Sequence, residues 1–174
     1  MAVPHLVRAL PACKENQQAA NILANEIAKK ADVHSLVGIL DKFVSHETEA
    51  GEMLVAKLVD KGRLNQMMDA AKLMRSDSVA SRILAVGLVE NLAGKGDGGV
   101  EALHKGFRVL GGAPTARKIL ALEIIKIKGK LMAMTLLGKE VFEFTKNQAE
   151  IDGLAKKARK RYDWILKNEL SEAG

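Results

Sequence analysis

Residues 64 to 94, LNQMMDAAKLMRS followed by DSVASRILAVGLVENLAG, constrain the fold more than any other stretch. At about 100° per residue the second half is a helix with Val79, Ile83, Leu84, Val86, Leu88, Val89 and Leu92 on nearly every side. Only Arg82, Glu90 and Asn91 interrupt its apolar circle. The first half is a helix carrying Leu64, Met67, Met68, Ala71, Leu73 and Met74, joined to the second by an expected turn of about three residues. Two such helices cannot cover their own apolar surface. The rest of the chain must stack around them, and an all-α architecture of stacked helical hairpins follows.

The chain has 174 residues, 48% of them hydrophobic, which suits one core over residues 1–174. Aromatics are only 3% and the apolar residues are mainly Leu, Ile, Val, Ala and Met, a composition that argues against an all-β fold. Cys13 is the single cysteine and has no intramolecular partner. No apolar run approaches the roughly 18 residues of a membrane span. Pro4, His5 and Arg8 break any secretory h-region, so a cytoplasmic protein without a membrane partner is expected.

The net charge of +6 is unevenly placed. Residues 105–130 hold seven basic and one acidic side chain, while residues 1–104 hold 12 basic and 13 acidic. This favours a local basic surface over a uniformly basic coat.

Along the chain, Pro4 and Pro11 mark a loosely held segment, 1–14, before a helix from Glu15 to Lys30. Asp32 caps the next helix, with Val33, Leu36, Val37, Leu40 and Val44 in one stripe. After a break at Ser45-His46, a helix through Met53, Leu54, Leu58 and Val59 stops at Gly62, with Gly51 weakening its start. GKGDGG, 94–99, reads as a flexible loop between repeats; it follows a helix and lacks the GK[ST] ending, which argues against a phosphate loop. Val100 to Lys105 reads as a short helix closed by Gly106, with Phe107 to Gly112 too short for another. A helix from Thr115 to about Lys130 has Leu120, Ile124, Ile127 and Leu131 as its expected buried line, with Gly129 bending or ending it. Leu136, Leu137, Val141, Phe142 and Phe144 form the next helix. The last, Ala149 to about Leu170, carries Ile151, Leu154, Ala155, Ala158, Tyr162, Ile165 and Leu166 in one stripe.

Turns within successive helix pairs fall near Ser45, Ser76, Gly112 and Lys146, at steps of 31, 36 and 34 residues, an interval typical of stacked helix pairs. Leu58-Val59-Asp60-Lys61-Gly62-Arg63-Leu64 also resembles Leu103-His104-Lys105-Gly106-Phe107-Arg108-Val109. The short helix, glycine and longer helix pair resemble an armadillo repeat over residues 54–109, and HEAT-like pairs fit nearly as well. The layout from Thr115 to Leu170 is similar to the final repeats of the UCS-domain myosin chaperones. The resemblance implies a short right-handed superhelix with an extended protein-binding surface.

Chemistry-bearing residues are sparse. His5, His34, His46 and His104 lie at no metal-ligand spacing from one another or from Cys13, so no metal or cofactor is expected. Glu47 with Glu49, and Glu140 with Glu143, read as solvated charges on helix faces, so the chain is read as a non-enzyme. The basic helices offer more. Arg117, Lys118, Lys126 and Lys130 form one candidate ridge, with Glu123 spaced to pair with Lys126. On the terminal helix, Trp164 lies well away from the Ile151, Ala158, Ile165 line and beside Lys157, Lys160 and Lys167. These residues point to an interaction module, an adaptor, scaffold or chaperone-like protein that binds an acidic or extended protein partner. The alternative is a basic helical nucleic-acid-binding protein, RNA-binding or nucleocapsid-like, drawing on KKARKR near Tyr162 and Trp164.

Overall fold

The structure, a computed structural model, describes residues 2–170; Met1 and 171–174 of the expected domain lie outside them. Helices α1 (Val3–Ala9), α2 (Gln17–Lys30), α3 (Val33–Lys42), α4 (Glu49–Lys61), α5 (Leu64–Lys72) and α6 (Val79–Leu92) are followed by α7 (Gly96–Val109) and α8 (Pro114–Lys128). Two short helices, α9 (Lys130–Leu137) and α10 (Glu140–Lys146), lead to α11 (Gln148–Asn168). No strand occurs among the described residues.

Side-by-side packing of successive hairpins makes two layers: α3, α5 and α7 in one, and α2, α4, α6 and α8 in the other. Against α4, α6 and α8 the long α11 lies as a third layer, while α9 and α10 pack on each other and on α8. The helix at the centre is α6, which touches α4, α5, α7, α8 and α11. Ile83, Leu84, Leu88 and Leu92 are buried there, each contributing about 2 kcal/mol relative to exposure. Val86 and Val89 are half-buried on the side facing α11 and α8. Close approach of α4 depends on Gly87, where a Cβ would strike the Val59 methyls.

Three of the four expected turns, those near Ser45, Ser76 and Gly112, come together in space. His46, between α3 and α4, shares a hydrogen bond of 2.7 Å between Nδ1 and Ser78 Oγ, and its Nε2 accepts from the Arg75 N–H at 3.2 Å. An accepting Nε2 makes the ring neutral, with its proton on Nδ1 donated to Ser78. Ser78 in turn caps α6, accepting from the Ser81 N–H while Ser81 Oγ accepts from the Ser78 N–H. One step along the stack, Asp77 accepts from the backbone N–H and the hydroxyl of Thr115, at the start of α8. The residues around Ser45, Ser76 and Gly112 thus form one polar seam at the end of the stack.

Several expectations are corrected. Within the segment expected to be loosely held, residues 3–13 form α1 and a 3-10 turn at Leu10–Cys13, each with proline in its first turn, and Leu6, Val7 and Leu10 are buried. The connection between α5 and α6 spans residues 73–78, longer than three residues, because its polar groups build the seam. The glycine-rich loop shrinks to residues 93–95, and 96–99 form the first turn of α7. Gly99 is buried where a Cβ would collide with the Leu92 carbonyl. Helix α7 runs unbroken through Gly106, which lets Leu120 approach, so the proposed match of 58–64 with 103–109 is not structural. Gly62 is a left-handed C-cap at φ 64°, whereas Gly106 is helix interior. The single helix expected through Leu136 and Phe144 is two, divided at Gly138 with φ 71°. Ile127, Leu131, Leu136 and Phe142 are exposed, because Gly129 at φ 81° redirects the chain and α9 and α10 cover only one of their faces.

Gly51 is less a weak helix start than a contact point: an added Cβ would collide with the Ser45 carbonyl oxygen, whereas Gly38 in α3 is open. In urea unfolding, Gly51→Ala is expected to destabilise by about 1–3 kcal/mol, and Gly38→Ala to stabilise by about 0.5–1 kcal/mol. Burial, reinforced by Arg75 and opposed by Glu47, holds the His46 pKa below its ordinary 6.5. Below pH 6.5 the unfolded chain therefore takes up a proton that the folded ring resists. Stability from this group is complete above that pH and lost as pH falls. Thermal melts between pH 7.5 and 5 are expected to show a smaller acid-induced loss in His46→Gln than in the native chain.

Candidate partner-binding surface

Helix α11 is the element that arranges the basic side chains. Its stripe of Ile151, Ala158, Tyr162 and Ile165 is buried against the stack. The Tyr162 hydroxyl is pushed up to about 12, first by burial and then by Asp60 of α4. Three ion pairs fasten the helix, one to each helix beneath it. Arg161 donates through Nε and Nη2 to Glu52 of α4, at 3.1 and 2.9 Å. Arg159 pairs with Glu90 of α6, and Asp152 accepts from Lys126 of α8 at 2.8 Å. A cavity of about 260 Å³ remains between α6, α8 and α11, bordered by Val86, Val89, Ile119, Leu122 and Ala155.

These pairings divide the predicted residues. Lys126 is occupied by Asp152 and not by Glu123, because docking of α11 brings a carboxylate from another layer to its ammonium group. Arg117 is also used internally: its guanidinium lies 4.1 Å from the Phe107 ring centroid and 3.6 Å from Glu140. Lys118 is half-buried, and Lys130 is exposed at the start of α9. The proposed Arg117 to Lys130 ridge is therefore partly a set of internal ties.

On the outer side of α11, Lys156, Lys157, Lys160, Trp164 and Lys167 are exposed. Trp164 is 48% exposed, and the Arg161 guanidinium sits 5.0 Å from its ring centroid. Arg161 thus touches both the core-facing Glu52 and the surface tryptophan. Helical spacing alone did not reveal that link, since Glu52 lies 109 residues away in sequence.

Near the N-terminus, a larger cavity of about 820 Å³ lies among Pro11, Cys13, Ala20, Phe43, Thr48 and Ala50. Its carboxylates are partnered: Asn21 donates to Glu49, Ser76 to Glu47 and Arg161 to Glu52. Among the described residues, no three His, Cys, Asp or Glu side chains form a metal-holding group, and no helix is long and apolar enough to cross a membrane. No protein-family model, curated protein or solved structure matches the chain.

The Glu52–Arg161 pair is the least exposed of the three ties, with side chains 12% and 29% exposed. Glu52→Gln is expected to cost about 1–3 kcal/mol in urea unfolding, against at most about 1 kcal/mol for Lys126→Ala.

Proposed function

We propose that this chain is a non-enzymatic protein-interaction module, an adaptor, scaffold or chaperone-like protein of armadillo or HEAT type. It binds an acidic or extended protein partner along the outer face of α11. The observation that carries this reading is Trp164, half-exposed on a rigid helix beside Lys157, Lys160 and Lys167, with Arg161 against its ring. An indole held in place by a neighbouring cation loses little entropy on binding and presents a broad apolar anchor inside a cationic rim. The stacked hairpins support the repeat-protein reading, because a surface shared by several parallel helices suits an elongated ligand.

The same lysines favour a nucleic-acid reading, in which Trp164 stacks on a base and the cations follow a phosphate backbone. Binding of a generic single-stranded oligonucleotide, falling steeply as salt rises, would support it; no binding at low salt removes it. Against it stands the shortage of aromatic side chains elsewhere on this face.

Trp164→Ala, and separately Lys157→Glu with Lys160→Glu, are expected to reduce capture of protein partners from cytosol. The melting temperature should change by no more than about 2 °C for Trp164→Ala. A fall of more than about 5 °C would mean that the ring is a structural contact.

A further inference from the structure

The helix α9, sequence KLMAMTLL, has apolar side chains on both its covered and its open sides. Ala133 and Leu137 are buried, yet Leu131 is 82%, Met132 59% and Leu136 37% exposed. Spacings of four residues, 131 to 135 and 132 to 136, place these three side chains and Thr135 on one continuous face. Ile127 and Phe142, on the flanking helices, are also exposed. Five of the eight large apolar side chains found exposed among the described residues thus fall within 127–142, a concentration characteristic of an interaction surface.

The charge on α9 and at its two ends is basic, while the carboxylates that follow, Glu140 and Glu143, lie on α10, where Glu140 pairs with Arg117. Residues 124–139 contain four lysines and no carboxylate. Lys126 and Lys128 are neutralised by Asp152 and Asp97. Lys130 and Lys139, at the two ends of α9, are exposed and meet no carboxylate within 4 Å among the described residues. The helix, about 12 Å long, therefore presents an apolar stripe from Leu131 to Leu136 with a free ammonium group near each end.

We infer that α9 is a second docking surface, separate from the α11 face, and that its occupant is an acidic amphipathic helix of another protein. Apolar side chains of that helix cover Leu131, Met132 and Leu136, and its carboxylates meet Lys130 and Lys139. Charge selects this occupant. A symmetric contact with a second copy would bring the same lysine-rimmed stripe against itself, where like charges repel. An anionic bilayer would satisfy the lysines, but so short a helix with three projecting apolar groups offers less than the paired anchors that stable membrane attachment needs.

The test uses the full chain with two synthetic amphipathic helices, one with leucines flanked by glutamates and one with the same leucines flanked by lysines. Vesicles of phosphatidylserine with phosphatidylcholine form a third arm. The glutamate peptide is expected to bind and the lysine peptide not to. Leu131→Ser with Met132→Ser should weaken that binding about tenfold or more, as should Lys130→Glu with Lys139→Glu at low salt. Trp164→Ala should leave it unchanged. Both double variants alter exposed side chains, and unchanged melts verify that they fold. The inference is overturned by equal binding of the two peptides, by binding to neither, by vesicle flotation that depends on Leu131, or by a dimer that Leu131→Ser dissociates. Loss of peptide binding in Trp164→Ala would also overturn it, moving the contact to α11. Failure of the α9 variants to affect binding overturns it as well, and leaves the α11 reading untouched.

Discussion

Burial of α6 is the interaction on which the other layers depend. Its apolar side chains point around almost the whole circumference, and water is excluded only where α4, α5, α7, α8 and α11 each cover a sector. This requirement sets both the number of neighbours and their closeness. Gly87 brings α4 within reach of the α6 backbone, and Ser81, fully buried near the other end, is tolerated because it reciprocates the Ser78 cap. A helix with a single apolar stripe would have been satisfied by a two-layer stack. The circular pattern makes room for a third layer, and α11 supplies it.

Stacking also has to be kept in register, and the polar seam at the hairpin turns does this. His46, Ser78, Asp77 and Thr115 link connections that are distant in sequence through short hydrogen bonds, so the hairpins that turn near Ser45, Ser76 and Gly112 are tied at the same end. The turns expected near Ser45, Ser76 and Gly112 accordingly lie side by side. The glycine recurrence does not mark equivalent positions, because glycine serves different ends in the two places. At Gly62 it permits a left-handed cap; at Gly106 it leaves space for Leu120 to approach an unbroken helix. The letters are alike and the physical demands differ.

A similar ambiguity governs the cations. Lys126, Arg117, Arg159 and Arg161 belong to the same basic stretches as Lys130, Lys157 and Lys160, yet the first group ties the molecule together and the second faces water. Arg161 does both, bracing Trp164 while bound to Glu52. On α11 the cations that tie it to the stack, Arg159 and Arg161, alternate with the exposed Lys157 and Lys160. The exposed cationic face of α11 is thus a product of docking as much as of composition.

Helical periodicity, the caps at Asp32 and Gly62, the apolar circle of α6 and the spacing of turns were all legible in the residues themselves, because they depend on neighbours within one or two turns of helix. The outward position of Trp164 was legible for the same reason. Which carboxylate meets Lys126, whether Leu131 lies inside or outside, and whether Gly106 ends a helix were decided only by the tertiary structure. Each of those outcomes depends on groups brought close by packing: Asp152 on a later helix, the redirection of the chain at Gly129, and the Leu120 side chain across a layer. Local patterns specify which surfaces an element offers, and the free energy of packing the whole chain selects which of them are covered.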